Sequence, residues 1–427
     1  MLSFKRLIIS VALFAAVAMA AQDSAITAEQ VMDWIDHSAD TLSPGKTGEK
    51  RQCCDTVHAR LRMDGFAEIA LALGSPDPQE KEDALLGKAG RLFTMTPDIK
   101  TRGTLSFAAR QNLLLVLGAG ATLGNARDVF LPAEEKSGGG EVRLEQAYAD
   151  YTPYSFLGLE GGMLRVPFSR FNREFDERNS PCILRGDFYT YLVPTPWYDA
   201  GFLIKGEARP ARRFSADWQV GVIRGLGDDV SGGRGLEKAR LSGNDVNRSN
   251  ALCGILGLHL PGVAAITLSG YSGAVDIYDR HALGMGLAEF SLKLGYAGLE
   301  AGYFGAQIDT LVNSAGDTLP LKMQGVFVEI RGEYPLPRFG LLSGSVSWED
   351  VDLDETEYSA DVIGFPSHRK VFSLGLGLRP NSWLCFKAEF RSPQNNSDRL
   401  NPGRINDDLF LLGITVGSVK ARGSADE

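Results

Sequence analysis

From about residue 57 onward the chain keeps returning to period-two alternation, and the polar side of that alternation is charged. In Gln324 to Tyr334, Val326, Val328, Ile330 and Tyr334 share one face, and Phe327, Glu329, Arg331 and Glu333 the other. In Ser382 to Arg391, Leu384, Phe386, Ala388 and Phe390 oppose Trp383, Cys385, Lys387, Glu389 and Arg391. Phe410, Leu412, Ile414 and Val416 form another stripe, and in Tyr198 to Arg209 Phe202 and Ile204 oppose Lys205 and Glu207. Such spacing belongs to strands with one apolar face. A soluble sandwich also alternates, but its packed core has no means of solvating Glu, Lys and Arg on strand after strand. A water-filled lumen does, so the charged face reads as the inside of a pore and the apolar face as its lipid side.

Beyond the first twenty residues no segment reaches the roughly 18 uninterrupted apolar residues of a spanning helix. A membrane chain without helices must close its strands into a barrel, because lipid satisfies no backbone hydrogen bond. The 49 glycines, the net charge of −9 and the mean hydropathy of −0.09 fit a wall shared between lipid and water, and the acidic balance gives no support to a nucleic-acid partner.

Short turns fall at Arg110-Gln111-Asn112, Tyr151-Thr152-Pro153, Arg209-Pro210-Ala211, Pro261-Gly262, Tyr296-Ala297, Pro335-Leu336-Pro337 and Pro380-Asn381. Long polar stretches fall between them, at about 124–140, 165–197, 225–248, 273–283, 307–322, 352–368 and 392–406. Tight turns on one side and long loops on the other define an up-and-down barrel. The last strand, about 407–419, descends to the turn side. The strand before the Arg110 turn also descends, so an earlier one must ascend. Val57 to Gly74 supplies it, with Ala59, Leu61, Met63, Ala67, Ile69, Leu71 and Leu73 opposite His58, Arg60, Arg62, Asp64 and Glu68, and 75–98 becomes the first outer loop. The expectation is an all-β, transmembrane, up-and-down antiparallel β-barrel over 57–419 with about 16 strands and both ends in the periplasm.

The ends differ. Lys5 and Arg6, the apolar Leu7 to Ala18 and the small-residue site Ala18-Met19-Ala20 spell a secretory signal peptide over 1–20. Residues 21–56 do not alternate. Thr27-Ala28-Glu29-Gln30 opens a short helix there, which gives a periplasmic N-terminal segment. Residues 420–427 form a polar tail. The five cysteines, Cys53, Cys54, Cys182, Cys253 and Cys385, have no zinc spacing and read as structural or incidental.

The third outer loop, from Arg165 to Trp197, is the longest. It carries Arg165, Arg170, Arg173, Arg178 and Arg185, interleaved with Glu174, Asp176, Glu177 and Asp187. Phe168, Phe171 and Phe175 are spaced to anchor it against the wall, which places the five arginines at a pore constriction. Arg143, Glu145, Lys205, Glu289, Lys293 and Arg331 read as pore-wall charges; Glu160 and Glu300 belong to the same balanced set.

Three segments around this loop, Glu141-Val142-Arg143-Leu144-Glu145-Gln146-Ala147-Tyr148, Gly161-Gly162-Met163-Leu164-Arg165-Val166-Pro167-Phe168 and Trp197-Tyr198-Asp199-Ala200-Gly201, resemble the phosphate-selective porin O and P family. The resemblance covers about 141–209. It implies a 16-stranded homotrimeric porin of the outer membrane whose third loop folds inward. Ser169 stands where the family pattern favours Gly, the family's arginine ladder and lysine cluster have no counterpart here, and the chain ends on Ser418 to Glu427 instead of an aromatic residue.

Other motifs carry little. Gly118-Ala119-Gly120 with Gly124 lacks the spacing and the helix of a dinucleotide loop and reads as barrel wall. Asp350, Asp352 and Asp354 lack the glycine of a calcium loop, Glu355 standing in its place, so they read as solvated loop. His259 and His281 find no serine and carboxylate partners, so no hydrolytic triad assembles. The reading is a non-enzymatic porin for small hydrophilic solutes or anions, without metal or cofactor, embedded in outer-membrane lipid and weakly anion-preferring. The alternatives are an adhesin or scaffold and a barrel hydrolase.

Overall fold

A computed structural model describes residues 60–74, 94–110, 112–123, 141–174, 180–211, 214–227, 235, 236, 239, 250–275, 281–312, 318–353, 368–395 and 408–417. The chain divides into two units, Met1–Thr56 and Val57–Glu427, and all of these residues belong to the second. The signal peptide, the N-terminal segment with its short helix, Cys53, Cys54 and the polar tail lie outside the described residues.

Sixteen strands close into one antiparallel barrel. They are β1 (Arg60–Gly74), β2 (Thr94–Arg110), β3 (Leu113–Leu123), β4 (Glu141–Tyr154), β5 (Leu157–Arg165), β6 (Tyr198–Ala211), β7 (Phe214–Ile223) and β8 (Ala251–Leu260). β9 (Ala264–Ala274), β10 (Ala282–Leu294), β11 (Ala297–Val312), β12 (Thr318–Leu336), β13 (Gly340–Asp352), β14 (His368–Asn381), β15 (Leu384–Asn395) and β16 (Leu409–Gly417) complete it. Each pairs with its sequence neighbours, and β1 closes the ring on β16 from Phe66↔Gly417 to Gly74↔Leu409. The strand count and the opening strand match the sequence reading.

The faces follow the alternation. Ile69, Phe202, Ile204, Val328, Ile330, Phe386, Phe410, Leu412, Ile414 and Val416 are exposed outward, while Glu68, Phe327, Cys385, Lys387, Glu389 and Arg391 are buried within. Exposed aromatics rim the barrel. Tyr151, Tyr154, Phe156, Tyr296, Tyr334, Phe339 and Trp383 circle the short-turn end, and Tyr303, Trp348, Phe372 and Phe410 lie nearer the loops. At about 3.3 Å per residue and a tilt near 40°, the climb from Phe339 to Trp348 is roughly 23 Å, close to the ~25 Å apolar band of a membrane barrel.

Several turns lie beyond the prolines that marked them. β4 runs on to Tyr154 with its turn at Ser155 and Phe156, β6 runs on to Ala211, and β14 to Asn381. Register shifts fall between Tyr151 and Tyr154, Ala208 and Ala211, and Leu378 and Asn381. Pro153, Pro210 and Pro380 sit inside these irregularities, where the missing N–H costs no ladder bond. On the loop side β11 and β12 extend well into the stretch read as 307–322, pairing Gln307 with Lys322 above the apolar band. β2 likewise begins at Thr94, inside the stretch read as 75–98.

The interior is not uniformly wet. The upper inner faces of β10 to β13 carry Leu283, Met285, Leu287, Phe304, Ala306, Ile308, Leu321, Met323, Phe327 and Val351, all buried in one apolar cluster with residues of the outer loops. Gly118 and Gly120 lie in β3, as wall residues.

Candidate pore

Loop L3 (166–197) turns inward from the end of β5 and packs on the inner wall. It opens with a short helix, α1 (Arg170–Glu174). Ser169 caps that helix, its Oγ accepting from the backbone N–H of Asn172 at 2.7 Å. This explains a serine where glycine was expected. Asn172 then ties the two ends of the loop together. Its Nδ2 donates to the carbonyls of Val166 (2.9 Å) and Trp197 (3.1 Å), and its Oδ1 accepts from Trp197 N–H (2.8 Å). A buried amide with all these bonds made is a rigid clasp.

Aromatic rings seat the loop. Phe168 packs edge-on against Trp197 and Phe304, and Phe171 stacks on Tyr189 at 3.9 Å. Phe188, in the tight helical turn Phe188–Leu192, meets Phe304 and Phe327, and Trp197 meets Tyr271 of β9. Phe168 and Phe171 do what their spacing suggested, while Phe175 lies outside the described residues. The run Phe188-Tyr189-Thr190-Tyr191-Leu192 was the sequence signal passed over: five residues buried in a loop of polar composition.

Polar contacts extend the seat around the wall. Glu289 on β10 accepts from Arg170 N–H (2.7 Å) and Tyr189 OH (2.9 Å), and Glu349 on β13 accepts from Phe188 N–H (3.0 Å). Glu389 on β15 accepts from the N–H groups of Ile183 (2.7 Å) and Leu184 (2.8 Å). Asp187 pairs with Arg391 (2.6 Å) and Arg369 (3.2 Å). Ile183 and Leu184 pack with Ala70, Leu409 and Leu411 at the barrel seam. Buried carboxylates that accept N–H and O–H donors from the loop make charge-assisted bonds, about twice as strong as neutral ones, and fix the loop on the wall.

The loop arginines are unevenly partnered. Arg170 pairs with Glu300 (2.7 Å) and donates to Ser291 (3.0 Å), and Arg173 pairs with Asp217 of β7, which also contacts His259. Arg185 donates to the carbonyl of Thr195 (3.1 Å). Arg165 differs: its guanidinium lies 5.6 Å from the Tyr198 ring centroid and donates to the Arg173 carbonyl at 3.4 Å, both neutral partners. Arg178 lies outside the described residues.

Among the wall charges, Lys205 bridges Asp150 (2.6 Å) and Glu160 (3.2 Å), and Arg331 pairs with Glu329 (2.7 Å) and reaches Glu300 at 3.7 Å. Glu145 is partnered by Arg102, whose second nitrogen donates at 3.1 Å, and by Tyr198 OH at 3.3 Å. Arg102 was absent from the sequence reading because only the register Gly120↔Arg102 and Gly120↔Arg143 brings β2 and β4 across β3. Arg143 lies on β4, its side chain outside the described residues; Lys293 is exposed at the short-turn mouth, beside a cavity of about 600 Å³ that Arg170, His259, Glu300 and Arg331 also line. Asp350 is paired to His368 (2.6 Å) and Lys370 (3.6 Å), and no cluster of metal-ligating side chains occurs among the described residues.

The closed barrel with charged inner walls and an inward loop is a 16-stranded antiparallel fold. It is shared with solved outer-membrane channels. OmpF of Salmonella typhi in complex with daunomycin matches with a TM-score of 0.52 at 12% identity, covering 84% of this chain and 97% of that one. The anion-selective porin from Comamonas acidovorans matches at 0.53 and 9%, covering 84% and 100%. The outer-membrane channel DcaP of Acinetobacter baumannii matches at 0.51 and 11%, covering 85% and 98%. At these identities the likeness is one of fold. No family model matches the chain. An uncharacterized protein of Aquifex aeolicus is 24% identical over 289 residues, 61% of this chain and 63% of that protein, so the match spans less than two thirds of the relative's length.

Proposed function

We propose that the chain is an outer-membrane porin that passes small hydrophilic solutes and ions by diffusion. The observation that carries this reading is the two-sided wall: apolar residues with aromatic rims outside, partly solvated ion pairs inside. Arg102–Glu145, Lys205–Asp150–Glu160 and Arg331–Glu329 keep between 10% and 21% of their side chains exposed within the barrel. Wetted charge along a lumen has no use in a packed core and a direct one in a conduit. The resemblance of 141–209 to the phosphate-selective porin O and P family, and the porin fold, support the same reading and a homotrimeric assembly.

L3 is read as narrowing the lumen, with Arg165, Arg170, Arg173, Arg178 and Arg185 as constriction residues and Arg143, Glu145, Lys205, Glu289, Lys293 and Arg331 as wall residues; Arg178 and the Arg143 side chain lie outside the described residues. The weak anion preference falls mainly to Arg165. Arg170 and Arg173 are cancelled locally by Glu300 and Asp217, whereas the described partners of Arg165 are neutral and leave its field uncompensated. Purified protein in a planar bilayer should give discrete conductance steps, and in a salt gradient Arg165→Gln should move the reversal potential toward cations. Absence of steps from folded protein contradicts the porin reading. An unmoved potential contradicts only the role given to Arg165.

A further inference from the structure

Between β7 and β8 runs the stretch 224–250 (here L4), whose described residues Leu226, Gly235, Leu236 and Ala239 pack on L3. Leu226, Leu236 and Ala239 are buried in the same apolar cluster as Phe188, Tyr191 and Leu192. Leu226 N–H donates to Tyr271 OH at 3.1 Å, and Leu236 N–H donates to the Tyr191 carbonyl at 2.8 Å. Gly235 makes this approach possible. Its φ is +55°, and a Cβ there would collide with the Tyr191 carbonyl oxygen and stand 3.1 Å from Leu353. A residue other than glycine is therefore disfavoured twice, by backbone conformation and by space.

Tyr191 passes the contact inward. Its ring lies 4.8 Å from the Arg369 guanidinium, which pairs with Asp187 at 3.2 Å. Asp187 is held by Arg391 at 2.6 Å, and Arg391 donates to the Arg185 carbonyl at 3.1 Å. A continuous set of packed and hydrogen-bonded groups thus joins the surface loop to the body of L3.

We propose that L4 sets the position of L3 and, through it, the conductance of the pore, with Gly235 and Leu236 as the positioning residues. This rests on the porin reading. Buried interfaces have discrete arrangements and do not deform continuously. Forcing Gly235 away from Tyr191 therefore shifts the whole helical turn, and the groups tied to Asp187 follow. The coupling is physical contact from one loop to the other, with no ligand at either end.

The test is single-channel recording of Gly235→Val, with heat-modifiable gel mobility showing that the barrel is folded. Conductance should change by about twofold or more and open-channel noise should rise, since a displaced constriction loop alters the narrowest section. Adding Ser345→Cys, where the Ser345 Oγ lies 3.2 Å from native Cys182, ties L3 back to β13 and should restore wild-type conductance once added oxidised glutathione takes up the two electrons and the disulfide forms. Folded Gly235→Val with wild-type conductance and noise overturns the proposal, as does failure of the disulfide to restore them. If Gly235→Val does not fold, Leu236→Ala reads the same effect with less strain. A folded wild type that conducts nothing overturns the porin reading and this proposal with it.

Discussion

Asp187 of L3 and Arg391 of β15 stand 2.6 Å apart with only 6% and 4% of their side chains exposed. With Arg369 on the other carboxylate oxygen and Glu389 3.9 Å from Arg391, they form a dry charge cluster between loop and wall. Removing the Asp187 carboxylate breaks the ion pairs to both buried guanidiniums and leaves Arg391 the longer contact to Glu389 at 3.9 Å, a defect that costs about 3 kcal/mol on the scale of a broken buried pair. Asp187→Ala should therefore release L3 while leaving the barrel closed. Limited proteolysis of folded protein should cut within 180–197 in the variant and not in the wild type; equal resistance would show that the aromatic seat suffices.

Lys387 and Glu68 form a second pair at the seam, with 0% and 1% of their side chains exposed, and Thr415 Oγ1 donates to the same carboxylate at 2.7 Å. These residues come from β15, β1 and β16, so the pair spans the strands that close the ring. Lys387→Met should lower the unfolding free energy by about 3–5 kcal/mol, read as a lower denaturation midpoint on heat-modifiable gels. The double variant Lys387→Met with Glu68→Leu should recover much of it, because no charge is then left buried alone.

Cys182 is half-buried between L3 and β13, and desolvation of its thiol pushes its pKa up. Desolvation disfavours the thiolate, the reactive form, so at neutral pH the thiolate fraction lies below that of a free cysteine. A thiol reagent should label Cys182 slowly in folded protein and rapidly after denaturation. In Ser345→Cys an added oxidant should still join Cys182 to the introduced cysteine, because the pair is already in contact. Mass spectrometry of the linked peptide checks this. Its absence under oxidation would mean that L3 lies elsewhere in the native barrel.

The wall was legible and the loop only in outline. Period two is set by strand geometry alone, so Val328 and Ile330 against Phe327, Glu329 and Arg331 announced both the strand and its faces. Prolines misled at the turns, since Pro153, Pro210 and Pro380 serve bulges just before them. L3 was marked by length and by Phe168 and Phe171. Its partners were not, because Glu289, Glu349, Arg369 and Glu389 reach it from strands more than 100 residues away in the chain. Arg102 was hidden from Glu145 by the register across β3, 43 residues apart in the chain, and long separation hid the dry upper wall of β10 to β13, whose inward Leu283, Met285 and Leu287 look like lipid-facing residues until residues of L3 and L4 cover them.

Solute entry into liposomes tests the central claim most directly. Folded protein reconstituted into vesicles should produce swelling in uncharged sugars, fastest for the smallest, with rates that rise linearly with solute concentration, as free diffusion through a fixed aqueous pore requires. Vesicles that carry the folded barrel and do not swell in any solute that protein-free vesicles exclude would contradict the account.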